Sequence, residues 1–351
     1  MARLIVTASP AYADCARTEL DLALPAEYGR TELEPGTWLV SAAGTFTRLA
    51  AGLRQAVFIR HACPAQAEVP LSGASGPDDW AASALPSVWT RLAGLNGAGE
   101  LQVQVRLLAG APAWAPGPLA AGVRACLQRA GAATVGGAAP RVLSVVCGPD
   151  RAWVGVAALD QQLSPWPGGV ARLRRRPDEV SRSARKLEEA LRVFQLHQPD
   201  PADEAGHAPL PPPGGRAIDL GAAPGGWTQF LLAHGLNVVA VDTGELAPQL
   251  RGAPGLTVLR GAAQRVALPD GPVDLLTCDL SWDPVRAARC ALRFRPLLRA
   301  GAPAVLTIKF FGRPPLQAVA AARDQLASGF RVHAIRHLYH DRAEATAYLR
   351  A

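Results

Sequence analysis

Lysine is almost missing from this chain: of 36 basic residues only Lys186 and Lys309 are lysine, and the rest are arginine. Long apolar runs are missing too. Hydrophobic residues make up 49% of the sequence, yet no stretch approaches the roughly 20 consecutive apolar residues that a membrane-spanning helix requires. The opening MARLIVTASPAYADCARTEL places Asp14 and Arg17 soon after a short apolar run, which speaks against a signal peptide or anchor and makes a cytoplasmic protein the expectation. No CxxC pair occurs. Cys15, Cys63, Cys126, Cys147, Cys278 and Cys290 are scattered, a pattern that argues against a zinc site or disulfide framework and leaves them as expected core residues.

The scarcity of lysine carries chemical information. Abundant Ala, Gly and Pro with a single Met look like a coding preference that puts arginine wherever a generic positive charge suffices. An ammonium can lose its proton when buried, whereas a guanidinium in a protein cannot. The two lysines are therefore candidates for positions that arginine cannot fill. A net charge of +7 and a pI near 9.5 favour a polyanionic partner, although basic enzymes with other partners are common.

At 351 residues the chain is long enough for about two domains. Over residues 1–165, strand-like runs fall at 4–7, 37–41, 101–108, 141–148 and 152–159, the last two reading as a hairpin around Pro149 and Asp150. A helical pattern spans 119–131 and stops at a glycine. This half predicts an α+β sandwich able to cradle RNA. Residues 166–182 read as a basic linker, in which Arg172, Arg174, Arg175 and Arg176 are either a solvated run or a phosphate-contacting strip. A serine-capped helix is predicted over 183–194, with Lys186 in its first turn, and a proline-rich loop over 197–215.

From Arg216 the pattern becomes β/α alternation. Strands are predicted at 216–220, 237–241, 256–259, 273–280 and 302–310, with helices at 226–234, 285–299 and 315–328. Two further strands, 330–338 and 345–350, close the sheet as an antiparallel hairpin. This predicts a Rossmann-like α/β domain over 183–351 with a mostly parallel seven-stranded sheet, the usual shape of methyltransferase domains.

The sharpest motif is DLGAAPGGW, from Asp219 to Trp227, at a strand-to-helix junction. Gly221 permits a tight turn, Pro224 fixes the backbone after Ala223, and Gly225 with Gly226 allow a ligand close to the main chain. Asp242, about 20 residues on, stands where an acidic side chain binds ribose hydroxyls. These features suit NAD as well as S-adenosylmethionine, but the loop is not G-x-G-x-x-G. Asp279 and Lys309 end the fourth and fifth strands, at the ligand edge of such a sheet, where an ammonium needs a partner such as Asp279. Lys186 and Glu344 flank the same edge.

SRSARKLEEA, DLGAAPGGW, LLTCDL, TIKFF and YHDRAEAT together resemble the FtsJ-type RNA ribose 2′-O-methyltransferases. The order and spacing of SPW, SRS, KLEEA and LYHDR are similar to the RlmM type within that family, whose members methylate a cytidine ribose in 23S rRNA. The resemblance covers about 164–351; the first half is only consistent with a THUMP-containing, RNA-binding region. It implies a Lys-Asp-Lys-Glu tetrad at Lys186, Asp279, Lys309 and Glu344. It also implies S-adenosylmethionine bound around Ser183, Asp219, Gly221, Ala223, Pro224, Gly225, Gly226, Trp227, Asp242 and Asp279, with 23S rRNA or a large-subunit precursor as partner and no metal. Two departures stand out. Ala223 replaces a common cysteine, and Gly261, Ala262 and Ala263 occupy the turn where an aspartate would meet adenine, leaving Gln264 or main-chain groups for that task.

A ribose hydroxyl is a poor nucleophile at neutral pH, so its proton must be removed while it is aligned with the methyl. Lys309 is the expected base, its pKa lowered by burial and by Lys186, with Asp279 and Glu344 holding both lysines. His337, His340 and Asp341 are expected to shape the last hairpin rather than bind metal. Trp227 either packs on the sheet or stacks on a base. Two other classes stay open: an RNA-binding or ribosome-assembly protein with a vestigial methyltransferase domain, and an NAD-dependent oxidoreductase.

Overall fold

The computed structural model describes residues 1–95, 99–196 and 210–351. The chain divides into two compact units, Met1–Val170 and Ala171–Ala351. The predicted loop lies largely outside the described residues; its last part, 210–215, is irregular. Among the described residues no helix is long and apolar enough to cross a membrane.

The first unit contains two sheets. One is built from β1 (Ala2–Ala8), α1 (Ala13–Ala23), β2 (Gly29–Glu34), β3 (Thr37–Ala42), α2 (Phe46–Leu53) and β4 (Ile59–Pro64). Its strands pair antiparallel in the order β2-β3-β1-β4, the ferredoxin-like βαββαβ arrangement. The other comprises β5 (Ala67–Pro70), α3 (Pro77–Leu92), β6 (Leu101–Leu107), α4 (Pro116–Arg129), β7 (Thr134–Val135), β8 (Arg141–Cys147) and β9 (Arg151–Ala158), in the mixed order β5-β9-β8-β6-β7. Trp80, Leu85, Val88, Leu119, Val123 and Leu127 of its helices pack on Leu143, Val145, Val154 and Val156. Residues 166–170 belong to this unit rather than to the predicted linker, because Gly168 and Gly169 are buried against the side chain of Arg106 and the backbone of Arg60.

The second unit begins with an irregular segment in which Arg172, Arg174, Arg175 and Arg176 are exposed. Then follow α5 (Ser183–Leu196), β10 (Arg216–Leu220), α6 (Gly226–Ala233), β11 (Asn237–Asp242), β12 (Leu256–Arg260), β13 (Leu275–Cys278), α7 (Pro284–Phe294), β14 (Pro303–Lys309), α8 (Pro315–Ala327), β15 (Arg331–Arg336) and β16 (Glu344–Arg350). The sheet order is β12-β11-β10-β13-β14-β16-β15, with only β16 antiparallel to its neighbours. α5 packs on α6 and β16, while α7 and α8 pack on each other and on β14. α7 is shorter than the predicted helix because Pro296 lacks an amide hydrogen and crowds the preceding turn, so a 3-10 turn, Arg295–Leu297, ends it.

β14 is buried from Pro303 to Ile308, and each enclosed Val, Leu or Ile there contributes roughly 1.5–3 kcal/mol. Insertion of β16 between β14 and β15 sets the register that matters most, because it places Lys309 directly opposite Glu344.

Candidate active site

The chain crosses from one side of β10 to the other between β12 and β13, so the reversal of strand order lies at β10 and β13, where ligands bind open α/β sheets. The loop leaving β10 is fitted closely to its surroundings. Gly221 has φ 77°, and a Cβ there would stand 2.9 Å from the Asp279 carbonyl oxygen. Gly226 does not need an unusual φ but needs to be small: a Cβ would lie 2.3 Å from Ser183 Oγ and 3.0 Å from Ser181 Cβ. Asp242 ties the loop to β11, its carboxylate accepting from the Ala223 amide at 2.9 Å and the Gly244 amide at 2.7 Å.

Asp219 is fully enclosed and accepts from the hydroxyls of Thr228 at 2.7 Å and Thr277 at 2.9 Å. Burial raises its pKa to about 6 despite these two donors, with Asp279 and Asp242 adding to the rise. Trp227 is also enclosed. Its indole N–H donates to the Ser183 carbonyl at 2.8 Å, and Lys186 Nζ lies 5.9 Å from the ring centre. Both side chains are enclosed and bonded to protein groups around the loop, and the enclosure of Trp227 leaves no ring face open for a base.

Four charged side chains meet beside this loop. Lys186, from the first turn of α5, reaches Glu344 at 2.7 Å and Asp279 at 3.3 Å. Lys309, at the end of β14, reaches Asp279 at 2.8 Å and forms a second ion pair with Glu344. Asp279 is further held by the Thr307 hydroxyl at 2.8 Å, a contact that period-2 alternation along β14 could have suggested, since Thr307 and Lys309 share a face. The set is electrically balanced, two ammonium groups against two carboxylates. It is not uniformly buried: the side chains of Lys186 and Glu344 are 7% and 9% exposed, those of Lys309 and Asp279 18% each. Lys309 is thus the more accessible ammonium.

The turn before β16 is anchored to α5 by Glu189, which no sequence signal singled out. Its buried carboxylate accepts from the amides of Tyr339 at 2.7 Å and His340 at 2.9 Å, and pairs with His340 Nδ1 at 2.6 Å. Asp341 closes the turn by accepting from the Leu338 amide and the Thr346 hydroxyl, and burial lifts its pKa well above the carboxylate range. His337 bonds to the Arg342 carbonyl. These residues shape the hairpin and thereby carry Glu344 to the lysines.

The sequence profile of the FtsJ-like methyltransferases matches residues 179–294. The match covers about a third of the chain, and over that segment the chain is similar to FtsJ-like methyltransferases. Its matched part holds Lys186, the glycine loop and Asp279. The chain is also 43% identical over 186 residues to a ribosomal RNA large subunit methyltransferase M from Halorhodospira halophila, covering 53% of this chain and 51% of that protein. A protein of the same name from Laribacter hongkongensis is 38% identical over 210 residues, covering 57% and 56%. The chain therefore spans about half the length of the curated relatives it matches. A solved structure, TrmN from Thermus thermophilus, is 20% identical and aligns with 100% of this chain and 99% of its own at a TM-score of 0.40.

Within the second unit the ionisation of Lys309 differs from the sequence-based expectation. Burial lowers its pKa, as expected, but the charges of Asp279 and Glu344 and their hydrogen bonds outweigh burial and leave it above the ordinary lysine value. The reason is placement: the carboxylates stand between the lysines, so attraction replaces the anticipated repulsion. Asp279 is correspondingly held down at about 2, burial pushing it up and the two lysine charges more than compensating. Beyond β12, Gly261 bonds to the Asp242 carbonyl, Ala263 is buried and Gln264 is exposed.

Proposed function

We propose that this chain transfers a methyl group from S-adenosylmethionine to a ribose 2′-hydroxyl of RNA, with a cytidine of large-subunit ribosomal RNA as the target, in the cytoplasm. The observation that carries this reading is the convergence of both lysines of the chain on Asp279 and Glu344. The family match and the names of the relatives support it.

The residues at the ends of β10, β11 and β13 suit the cofactor by their chemistry. The backbone of the loop through Gly221, Ala223, Pro224, Gly225 and Gly226 offers amides for an amino acid carboxylate, with Ser183 beside it. Asp242 suits ribose hydroxyls, and the ionised Asp279 suits a positive centre. S-adenosylmethionine supplies an activated methyl group when bound there. Lys309 approaches the 2′-hydroxyl from the accessible side of the tetrad, and its neutral amine takes the hydroxyl proton as the new O–C bond forms. Because Asp279 and Glu344 favour the ammonium, Lys309 must first release its own proton. Lys186, paired with Asp279 and Glu344, holds both carboxylates in place. The first unit, and the exposed arginines at 172 and 174–176, supply RNA contacts.

Labelled-methyl transfer to ribosomal RNA fragments tests the proposal. Lys309→Ala is expected to lose at least about 100-fold in rate while calorimetry shows S-adenosylmethionine still bound. Equal transfer by the variant removes Lys309 from the mechanism. The vestigial reading draws on the non-acidic turn Gly261, Ala262 and Ala263, and it predicts no tight cofactor binding in the same calorimetry.

A further inference from the structure

The turn that leaves β14 contains a residue its backbone does not favour. Phe311 has φ 42° and is the one non-glycine residue with positive φ among the described residues. Gly312 follows at φ 73°, and the Arg313 amide donates to the Phe310 carbonyl at 2.9 Å. Two successive positive φ values closed by that bond match a type I′ turn, whose first central position normally holds Asn, Asp or Gly. A bulky side chain there is strained. Burial of the ring does not offset the strain, because Phe311 is 55% exposed.

The position of this residue gives the cost a purpose. Among eight tryptophans, eight phenylalanines and four tyrosines, only Phe311 and Tyr339 are exposed. Phe311 lies two residues beyond Lys309, and Tyr339 lies five before Glu344. The Phe310 amide donates to the Ala343 carbonyl at 3.0 Å, so the two turns adjoin at the end of the sheet where the tetrad sits. The backbone of Tyr339 is fixed there by Glu189. Every other aromatic ring is at least partly withdrawn from solvent, and the two that are not lie on the turns that follow Lys309 and precede Glu344.

We propose that Phe311 is a stacking platform for an unpaired base of the RNA, at the target nucleotide or its immediate neighbour. The inference rests on the 2′-O-methyltransferase reading. To bring a ribose hydroxyl to a lysine that is only 18% exposed, the nucleotide must leave its own stack. An aromatic face replaces part of the lost stacking. Such a face accepts any base, so Phe311 sets affinity and alignment while neighbouring contacts choose the sequence.

The test compares wild type with Phe311→Asn and Phe311→Trp. Asn suits a type I′ turn, so Phe311→Asn is expected to melt at the wild-type temperature or above it. Its kcat/KM for RNA falls about tenfold or more, with an unchanged KM for S-adenosylmethionine. Phe311→Trp retains wild-type values within about twofold, because an indole stacks at least as well. A single-stranded RNA carrying 2-aminopurine reads stacking without turnover: wild type quenches its fluorescence on binding and Phe311→Asn does not. Wild-type RNA kinetics and quenching in Phe311→Asn would overturn the proposal, as would loss of activity accompanied by a lower melting temperature, which marks a structural ring. Quenching by a wild-type protein that transfers no methyl to any RNA would leave the platform standing and overturn the methyltransferase reading.

Discussion

At neutral pH a ribose hydroxyl and a lysine ammonium both keep their protons, so the proposed mechanism turns on when Lys309 gives its proton up. Its pKa lies above the ordinary lysine value in the free chain, because Asp279 and Glu344 favour the charged form. Only the small neutral fraction can act as base, and below the pKa that fraction grows tenfold for each unit by which the pH rises. At limiting concentrations of both substrates, where the rate reports the free enzyme, kcat/KM should climb about tenfold per pH unit between pH 7 and 9. A flat profile over that range would assign proton removal elsewhere. Lys309→Arg should be as inactive as Lys309→Ala, since a guanidinium preserves the charge but has no accessible neutral form to act as base. The scarcity of lysine made both residues visible in the sequence. The direction of the Lys309 shift was not visible, because it depends on which charges surround the side chain, and Glu344 is 35 residues away along the chain. The left-handed backbone of Phe311 was equally hidden: the letters K-F-F-G do not state the sign of φ.

At the scale of elements, the site depends on how tightly the loop after β10 and the start of α5 are packed together. Gly226→Ala would push a methyl group into Ser183 Oγ and Ser181 Cβ. It is expected to destabilise the chain by about 1–3 kcal/mol, read as a lower melting temperature, and to weaken activity by moving Lys186 with its helix. A variant that melts and turns over like wild type would show that the contact is slack. Strands of the second unit could be read from sequence because parallel strands covered on both faces appear as continuous apolar runs, as in NVVAV and APAVLTI. In the first unit, β2 was missed because GRTELE has little apolar content and lies at a sheet edge, although the Pro35-Gly36 turn joins it to β3 as a hairpin. The insertion of β16 beside β14 follows from topology, and it is this insertion that converts two distant motifs, TIKFF and YHDRAEAT, into one site.

For the molecule as a whole, the two units have different content. The second holds the glycine loop, the tetrad and an exposed arginine segment, while the first has two α/β-covered sheets and no counterpart of the tetrad, both lysines being beyond residue 170. The proposed chemistry is therefore assigned to the second unit, and RNA contact is the role proposed for the first. The central claim is that the paired lysines direct a methyl group to a ribose oxygen. The most direct measurement incubates the whole chain with labelled S-adenosylmethionine and 23S rRNA, then digests the product with alkali, which cannot cleave next to a 2′-O-methylated ribose. The account predicts label confined to alkali-resistant dinucleotides containing cytidine, lost in Lys309→Ala. Label recovered on a base, or undiminished in that variant, would contradict it.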